Sequence, residues 1–288
     1  MSEIKTINSI AWSSVKVVAG ITSDSIKDIL DIEPAHEPSG LENTYSVAST
    51  SAEDPGRGGY ISIANPSEYH MVDGEGDDRS FSVSTWAKIS GLPYFRFFCK
   101  GTTSAAEYLA TTWGGSGTAM NFVIYSNDGG TQYINQYTTH GMSADTWYNV
   151  VFVYEAGQDP VQNGLSFYVD GTQNTSGRGN NSYAGAMNDS EANLEIFRQN
   201  GNSNLSDGWI DEVGFWTKAL NGDEVNEIYN NGTPGNLATH SAADNLLSWW
   251  RMGDTDDGTG TTVTDVQGTG DGTLSGTPAV FVEHVPGS

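Results

Sequence analysis

Carboxylates are the side chains with the widest chemical reach in this 288-residue chain: Asp and Glu number 36 against 12 Lys and Arg, a formal charge of -24. Such a surplus can supply a hard cation like Ca2+ with the roughly six to eight oxygens it requires, from Asp side chains and loop carbonyls. The richest stretch is Gly253 to Leu274, a run of Gly, Asp and Thr that needs solvent or an ion to satisfy its polar groups. It is not an EF-hand, because in Asp254-Thr-Asp-Asp-Gly the glycine, Gly258, comes one place too early for the turn. Aromatic rings beside Asn and Gly are the second resource, since sugar C–H faces stack on rings while amides and carboxylates hydrogen-bond hydroxyls. Trp113, Tyr133, Tyr137 and Tyr183, at strand ends or in Gly- and Asn-rich loops, are the glycan-binding candidates. Packing or a protein interface is the alternative role for each.

Signatures of catalysis are missing. The chain has no Gly-x-Ser-x-Gly elbow, no His-Glu-x-x-His and no phosphate-binding glycine loop followed by Lys. Its histidines, His36, His70, His140, His240 and His284, are dispersed. The single cysteine, Cys99, excludes an intrachain disulfide and reads as a small buried hydrophobe. Net negative charge disfavours nucleic acid and anionic membrane surfaces. No apolar run approaches the roughly 20 residues of a spanning helix, so membrane insertion is not expected. The run Val17 to Ile21 is also too short for a signal-peptide core.

The elements that must hold these residues are strands. Phe81, Val83, Thr85, Ala87 and Ile89 alternate with Ser82, Ser84, Trp86 and Lys88, a period of two. Further strands are expected at 60–64, 94–99, 108–112, 121–125, 132–137, 147–154, 165–170, 194–198 and 209–216. Asn127-Asp-Gly-Gly and Asp170-Gly171 are hairpin turns in sequence. Many short strands predict an all-β, two-sheet antiparallel sandwich. One helix is expected over 222–229, with Asn221 as N-cap and Glu224 at N3. A second, short helix is expected over about 22–30 within residues 1–33, whose apolar positions Ile7, Ile10, Trp12, Val15, Ile21, Ile26, Ile29 and Leu30 suit an assembly anchor. Residues 34–43, with Pro34, Pro38 and Gly40, read as a linker, leaving 44–288 as the main domain.

Three blocks carry a family likeness: Asp145-Thr-Trp-Tyr-Asn-Val-Val-Phe-Val-Tyr, Leu165-Ser-Phe-Tyr-Val-Asp-Gly, and Asp207-Gly-Trp-Ile-Asp-Glu-Val-Gly-Phe-Trp followed by the helix. In order and spacing they resemble the concanavalin A-like, laminin-G-like jelly rolls. That resemblance implies glycan or protein binding, often with calcium. Asp211 matches the position where related folds hold a structural Ca2+, and Asp265 and Asp271 lie in the Gly-rich block that would approach it. Acceptance of backbone hydrogen bonds is the alternative role for Asp211. The block from Trp249 resembles the part that usually opens this jelly roll. Here it comes last, and 246–285 is too short for a second sandwich, so it is expected to complete the first.

Some relatives hydrolyse glycosides with a Glu-x-Asp-x-(x)-Glu strand, which this chain lacks. Glu75-Gly-Asp77-Asp-Arg has no final acid, and Asp211 and Glu212, as strand neighbours, are expected on opposite faces. A non-enzymatic role is therefore expected. The N-terminal segment and the Ser248-Trp-Trp-Arg-Met-Gly run are similar to tailed-bacteriophage structural proteins. What this implies is a virion-surface protein, a capsid decoration or tail fibre, oligomeric and in contact with other virion proteins, with weak adhesion to a cell-surface glycan. Such a protein would reach the exterior by lysis. The alternative is a secreted bacterial carbohydrate-binding module.

Overall fold

The computed structural model describes residues 17–18, 21–22, 41–49, 58–64, 67–90, 95–102, 106–113, 119–126, 131–158, 161–174, 177–188, 190–199, 206–276 and 279–287. The chain divides into two units, Met1–Glu42 and Asn43–Ser288. Within the first, β1 (Val17–Val18) pairs antiparallel with β2 (Ile21–Thr22). The helix expected over 22–30, and the anchor positions other than Ile21, lie outside the described residues. The α-helix among the described residues is mid-chain, α1 (Gly222–Tyr229).

The second unit is all-β. In chain order its strands are β3 (Ser46–Ser49), β4 (Tyr60–Ile63), β5 (Phe81–Ile89), β6 (Arg96–Gly101), β7 (Ala106–Trp113), β8 (Ala119–Tyr125) and β9 (Tyr133–Thr139). There follow β10 (Trp147–Tyr154), β11 (Leu165–Val169), β12 (Thr172–Asn174), β13 (Arg178–Asn181), β14 (Leu194–Ile196) and β15 (Gly208–Trp216). After α1 come β16 (Leu246–Trp250), β17 (Thr262–Val263), β18 (Gly272–Ser275) and β19 (Ala279–Val282). One sheet runs β12-β11-β10-β5-β15-β3-β19, with β16 also on β15; the other runs β13-β9-β8-β7-β6-β14-β4-β18-β17. All these pairings are antiparallel, so this unit is a two-sheet jelly-roll sandwich. The C-terminal segment supplies β16 and β19 to the first sheet and β17 and β18 to the second.

Local chemistry explains the joints. At Asp170-Gly171 both residues take positive φ, 48° and 73°, as a two-residue hairpin with the right-handed strand twist demands, and Val169 stands opposite Thr172. Strand β14 stops at Ile196, short of the expected Arg198, because Phe197 has φ 71°. Asn221 accepts from the backbone N–H of Asp223 and Glu224, and Glu224 accepts from Asn221 N, a complete capping box.

The period of two in β5 sends Phe81, Val83, Ala87 and Ile89 into the core. Phe81 stacks on Phe215 with centroids 5.7 Å apart, and Phe152 takes Phe98 and Phe122 edge-on or tilted at 5.3 and 5.5 Å. Buried rings of this size each contribute on the order of 2–3 kcal/mol through area removed from water. Ser82, Ser84 and Trp86, on the other face, are buried too, because the segment around α1 covers them. Ser82 Oγ donates to Lys218 O, Leu220 N donates to Ser82 Oγ, Trp216 Nε1 donates to Ser84 Oγ, and Trp86 stacks on Tyr229.

Candidate functional site

At one end of the sandwich, the end of β10, the approach to β5 and the loop after β13 enclose a cleft of about 600 Å³. Asp77, Asp78, Tyr154 and Tyr183 supply its functional side chains, and glycine and alanine complete the lining. Asp78 organises it. Its Oδ2 accepts from the hydroxyls of Tyr154 and Tyr183, each at 2.5 Å, and its Oδ1 accepts from Met187 N at 2.6 Å. These bonds join chain positions 76, 105 and 109 residues apart. Burial, and next the bond to Asp78, push both phenols well above the ordinary tyrosine range, so they remain protonated donors to the carboxylate. The carboxylate of Asp77, exposed on the same loop, has no hydrogen-bond or ion-pair partner among the described residues. Asp73 holds that loop in shape by accepting from Glu75 N and Asp77 N, which lowers its own pKa.

Of the aromatic candidates, Tyr183 is in this cleft. Tyr133 and Tyr137 each stand two residues from Asn135, on the same outward-facing side of β9, Tyr133 beside Tyr125 at 5.7 Å and Tyr137 41% exposed. Asn135 Nδ2 donates to Asn121 Oδ1 on that face. The loop of Tyr183 is stitched to the start of β9 by Ser182 N to Tyr133 O at 3.1 Å, which brings Tyr133 near the cleft, whereas Tyr137 is farther along the strand. Trp113 ends β7, and its side chain lies outside the described residues. Sequence reasoning did not find Asp78 or Tyr154: Tyr154 reads as a core strand end, and the only signal for Asp78 is the polar turn Asp73-Gly-Glu-Gly-Asp-Asp. A second cleft, of about 340 Å³, is lined in part by Glu155, Asn163, Tyr168, Gln173, Asn174 and Asn221. Asn174 and Asn221 there are committed, to Thr139 O and to the helix cap.

The three calcium candidates all accept hydrogen bonds within the protein. Asp265 accepts four backbone N–H groups, from Trp249, Gln267, Gly268 and Gly270, and Asp271 accepts from Asp265 N. Asp211, fully buried, accepts from Glu212 N and Asn43 Nδ2. Among the described residues no group of three His, Cys, Asp or Glu converges as a metal site. In these hydrogen bonds the three carboxylates organise backbone.

Asp211 and Glu212 do not lie on opposite faces as strand alternation predicts. The pairing of β15 with β5 shifts register between Asp211 and Gly214, and Glu212 has φ 47°; this bulge breaks the alternation. Glu212 then accepts from Trp249 Nε1 at 2.5 Å and Arg251 Nε at 3.2 Å, while Arg251 Nη2 reaches Asp254 at 2.8 Å. Asp254 in turn accepts from Thr44 N and Tyr45 N. Burial raises Asp211 well above the carboxylate range, with the neighbouring Glu212 charge adding to it. Burial also pushes Glu212 up to about 7, against the pull of Arg251. Neither residue lines either cleft.

A family model described as the concanavalin A-like lectin/glucanases superfamily (Laminin_G_3) matches residues 55–226. In structure the chain is similar to a Bacteroides ovatus protein provisionally described as carbohydrate binding, with a TM-score of 0.59 and 17% identity over 85% of this chain and 62% of that one. The chain thus spans less than two thirds of that protein, and at this identity the likeness shows the fold. Weaker similarity joins it to a heptameric SAP-like pentraxin of Limulus polyphemus (TM-score 0.43, 12% identity, 65% of this chain and 82% of that one). The binding domain of botulinum neurotoxin DC in complex with SialylT is comparable (TM-score 0.44, 14% identity, 65% of this chain and 42% of that one). No curated protein matches the sequence. The family model covers more than half of the chain, and with the antiparallel jelly roll described above this chain belongs to the concanavalin A-like lectin/glucanases superfamily.

Proposed function

We propose that the chain is an extracellular carbohydrate-binding module, non-enzymatic, whose ligand enters the cleft of Asp77, Asp78, Tyr154 and Tyr183. The observation that carries this reading is the carboxylate of Asp78, which locks the hydroxyl of the partly exposed Tyr183 against the buried Tyr154 and so fixes one ring face and oxygen acceptors around one cavity. Aromatic walls with a few fixed polar groups are the usual construction of a sugar site. Membership of a lectin-containing superfamily supports the same conclusion. Among the described residues no helix is long and apolar enough to cross a membrane.

A glycan array followed by calorimetry tests it, with and without calcium, on the full chain and on Tyr183→Ala. Removal of a stacking ring in a sugar site costs about 1–3 kcal/mol by analogy with other ring contacts, so affinity falls at least about fivefold while the fold persists. Unchanged affinity in Tyr183→Ala overturns the assignment of the cleft. Loss of binding on calcium removal would show a metal role in glycan binding. The virion setting and oligomeric assembly expected from residues 1–33 rest on positions that are mostly outside the described residues, and the binding reading does not depend on them. Mass spectrometry of particles from the native source, and sedimentation of the purified chain, test those two.

A further inference from the structure

The cleft presents its ligand with acceptors. Tyr154 and Tyr183 both spend their single O–H on Asp78 Oδ2; Tyr154 is fully buried, so toward the cavity it is the oxygen of the partly exposed Tyr183 that remains, and it can only accept. Asp78 uses its carboxylate on those two hydroxyls and on Met187 N. Asp77 lines the same cavity with a carboxylate that has no protein partner among the described residues, and it is exposed. The remaining lining residues are glycine and alanine, which bring no side-chain donor, and no Lys, Arg or His is present in the lining. Asp73 and Glu75, on the same loop, add negative charge at the rim.

From this arrangement we propose that the cleft selects glycans through the hydrogen-bond donors they bring, above all the free ammonium of an amino sugar, and turns away acidic sugars. This inference rests on the reading of the cleft as the glycan site. An ammonium offers three donors and a positive charge to Asp77 and the Tyr183 oxygen. A sugar carboxylate or sulfate offers only acceptors, meets no side-chain donor, and approaches carboxylates of its own sign. Asp78 is the positioning residue, because it fixes where the phenol lone pairs point, and Asp77 is the charge in contact with ligand.

The experiment uses three probes of similar length: glucosamine oligomers, N-acetylglucosamine oligomers, and hyaluronan oligomers, titrated into the full chain at low and high salt. Asp77→Asn is compared with Asp223→Asn, which removes the same charge from an exposed position on α1. The expected order is cationic, then neutral, then anionic, with the differences shrinking as salt screens an exposed charge. Asp77→Asn should lower the preference for the cationic over the neutral probe by about fivefold, the effect of one unit charge a few ångströms away in high dielectric. Asp223→Asn should leave that preference unchanged. Equal binding of all three probes overturns the selectivity while leaving the glycan reading intact, as does an equal effect of the two substitutions, which would reduce the preference to net charge. Binding of none of the three overturns the selectivity too; if the wider array is also blank, the glycan reading falls with it.

Discussion

Replacement of Glu212 by Gln offers a direct test of the buried acidic cluster behind the β15 bulge. The side chain is 3% exposed and shares Arg251 with Asp254, beside a second buried acid, Asp211. Its carboxyl is pushed from an ordinary 4.5 up to about 7, burial being the main cause. Unfolding releases it to the ordinary value. Between those two pH values the folded protein therefore keeps a proton that the unfolded chain has lost, and stability falls as pH rises from 4.5 to about 7. Below 4.5 and above about 7 this contribution is flat. At 1.36 kcal/mol per pH unit the full change is about 3 kcal/mol, of which no part is discounted for solvent because the group is buried. In a domain of this size that is about 6–12 °C in Tm. Gln keeps the shape and cannot titrate, so the difference between wild type and Glu212→Gln cancels the ionisable groups remote from this cluster and retains the effect of the Glu212 charge on its neighbour Asp211. Calorimetric melting of both proteins, with EDTA present, from about pH 4 to about pH 8 should show the wild type gaining about 3 kcal/mol relative to the variant as pH falls. A difference that stays constant across this range would refute the claim that Glu212 holds its proton in the folded state.

Two further outcomes follow from geometry. Asp78→Asn should cost about 2–4 kcal/mol in chemical denaturation, because two hydroxyls and Met187 N lose a charged acceptor, and should expose the loop after β13 to hydrogen exchange at Met187 first; an unchanged midpoint would mean that the loop is held by other contacts. Asp265→Ala removes the acceptor of four backbone N–H groups and should cost about 3 kcal/mol or more, with a loss that calcium does not restore, whereas calcium-dependent stability of the wild type that vanishes in this variant would place a cation at Asp265.

What the sequence by itself determined is local. The period of two from Phe81 to Ile89 set a strand and its core face, Asp170-Gly171 set a hairpin because both residues accept positive φ, and Asn221 with Glu224 set the start of α1. Each is a property of neighbours in the chain, where side-chain alternation, backbone strain and orphan N–H groups act over a few residues. The tertiary structure alone decided the site. Tyr183 was visible as an exposed-looking ring in a polar loop, yet its partners Asp78 and Tyr154 come from positions far away in sequence, and only the order of strands in the two sheets brings them to one end. The bulge at Glu212 was hidden for a related reason. A strand pattern assumes unbroken register with its neighbour, and one extra residue between the core positions Ile210 and Val213, held by Trp249 and Arg251 from late in the chain, suffices to put two consecutive carboxylates on one side of the strand.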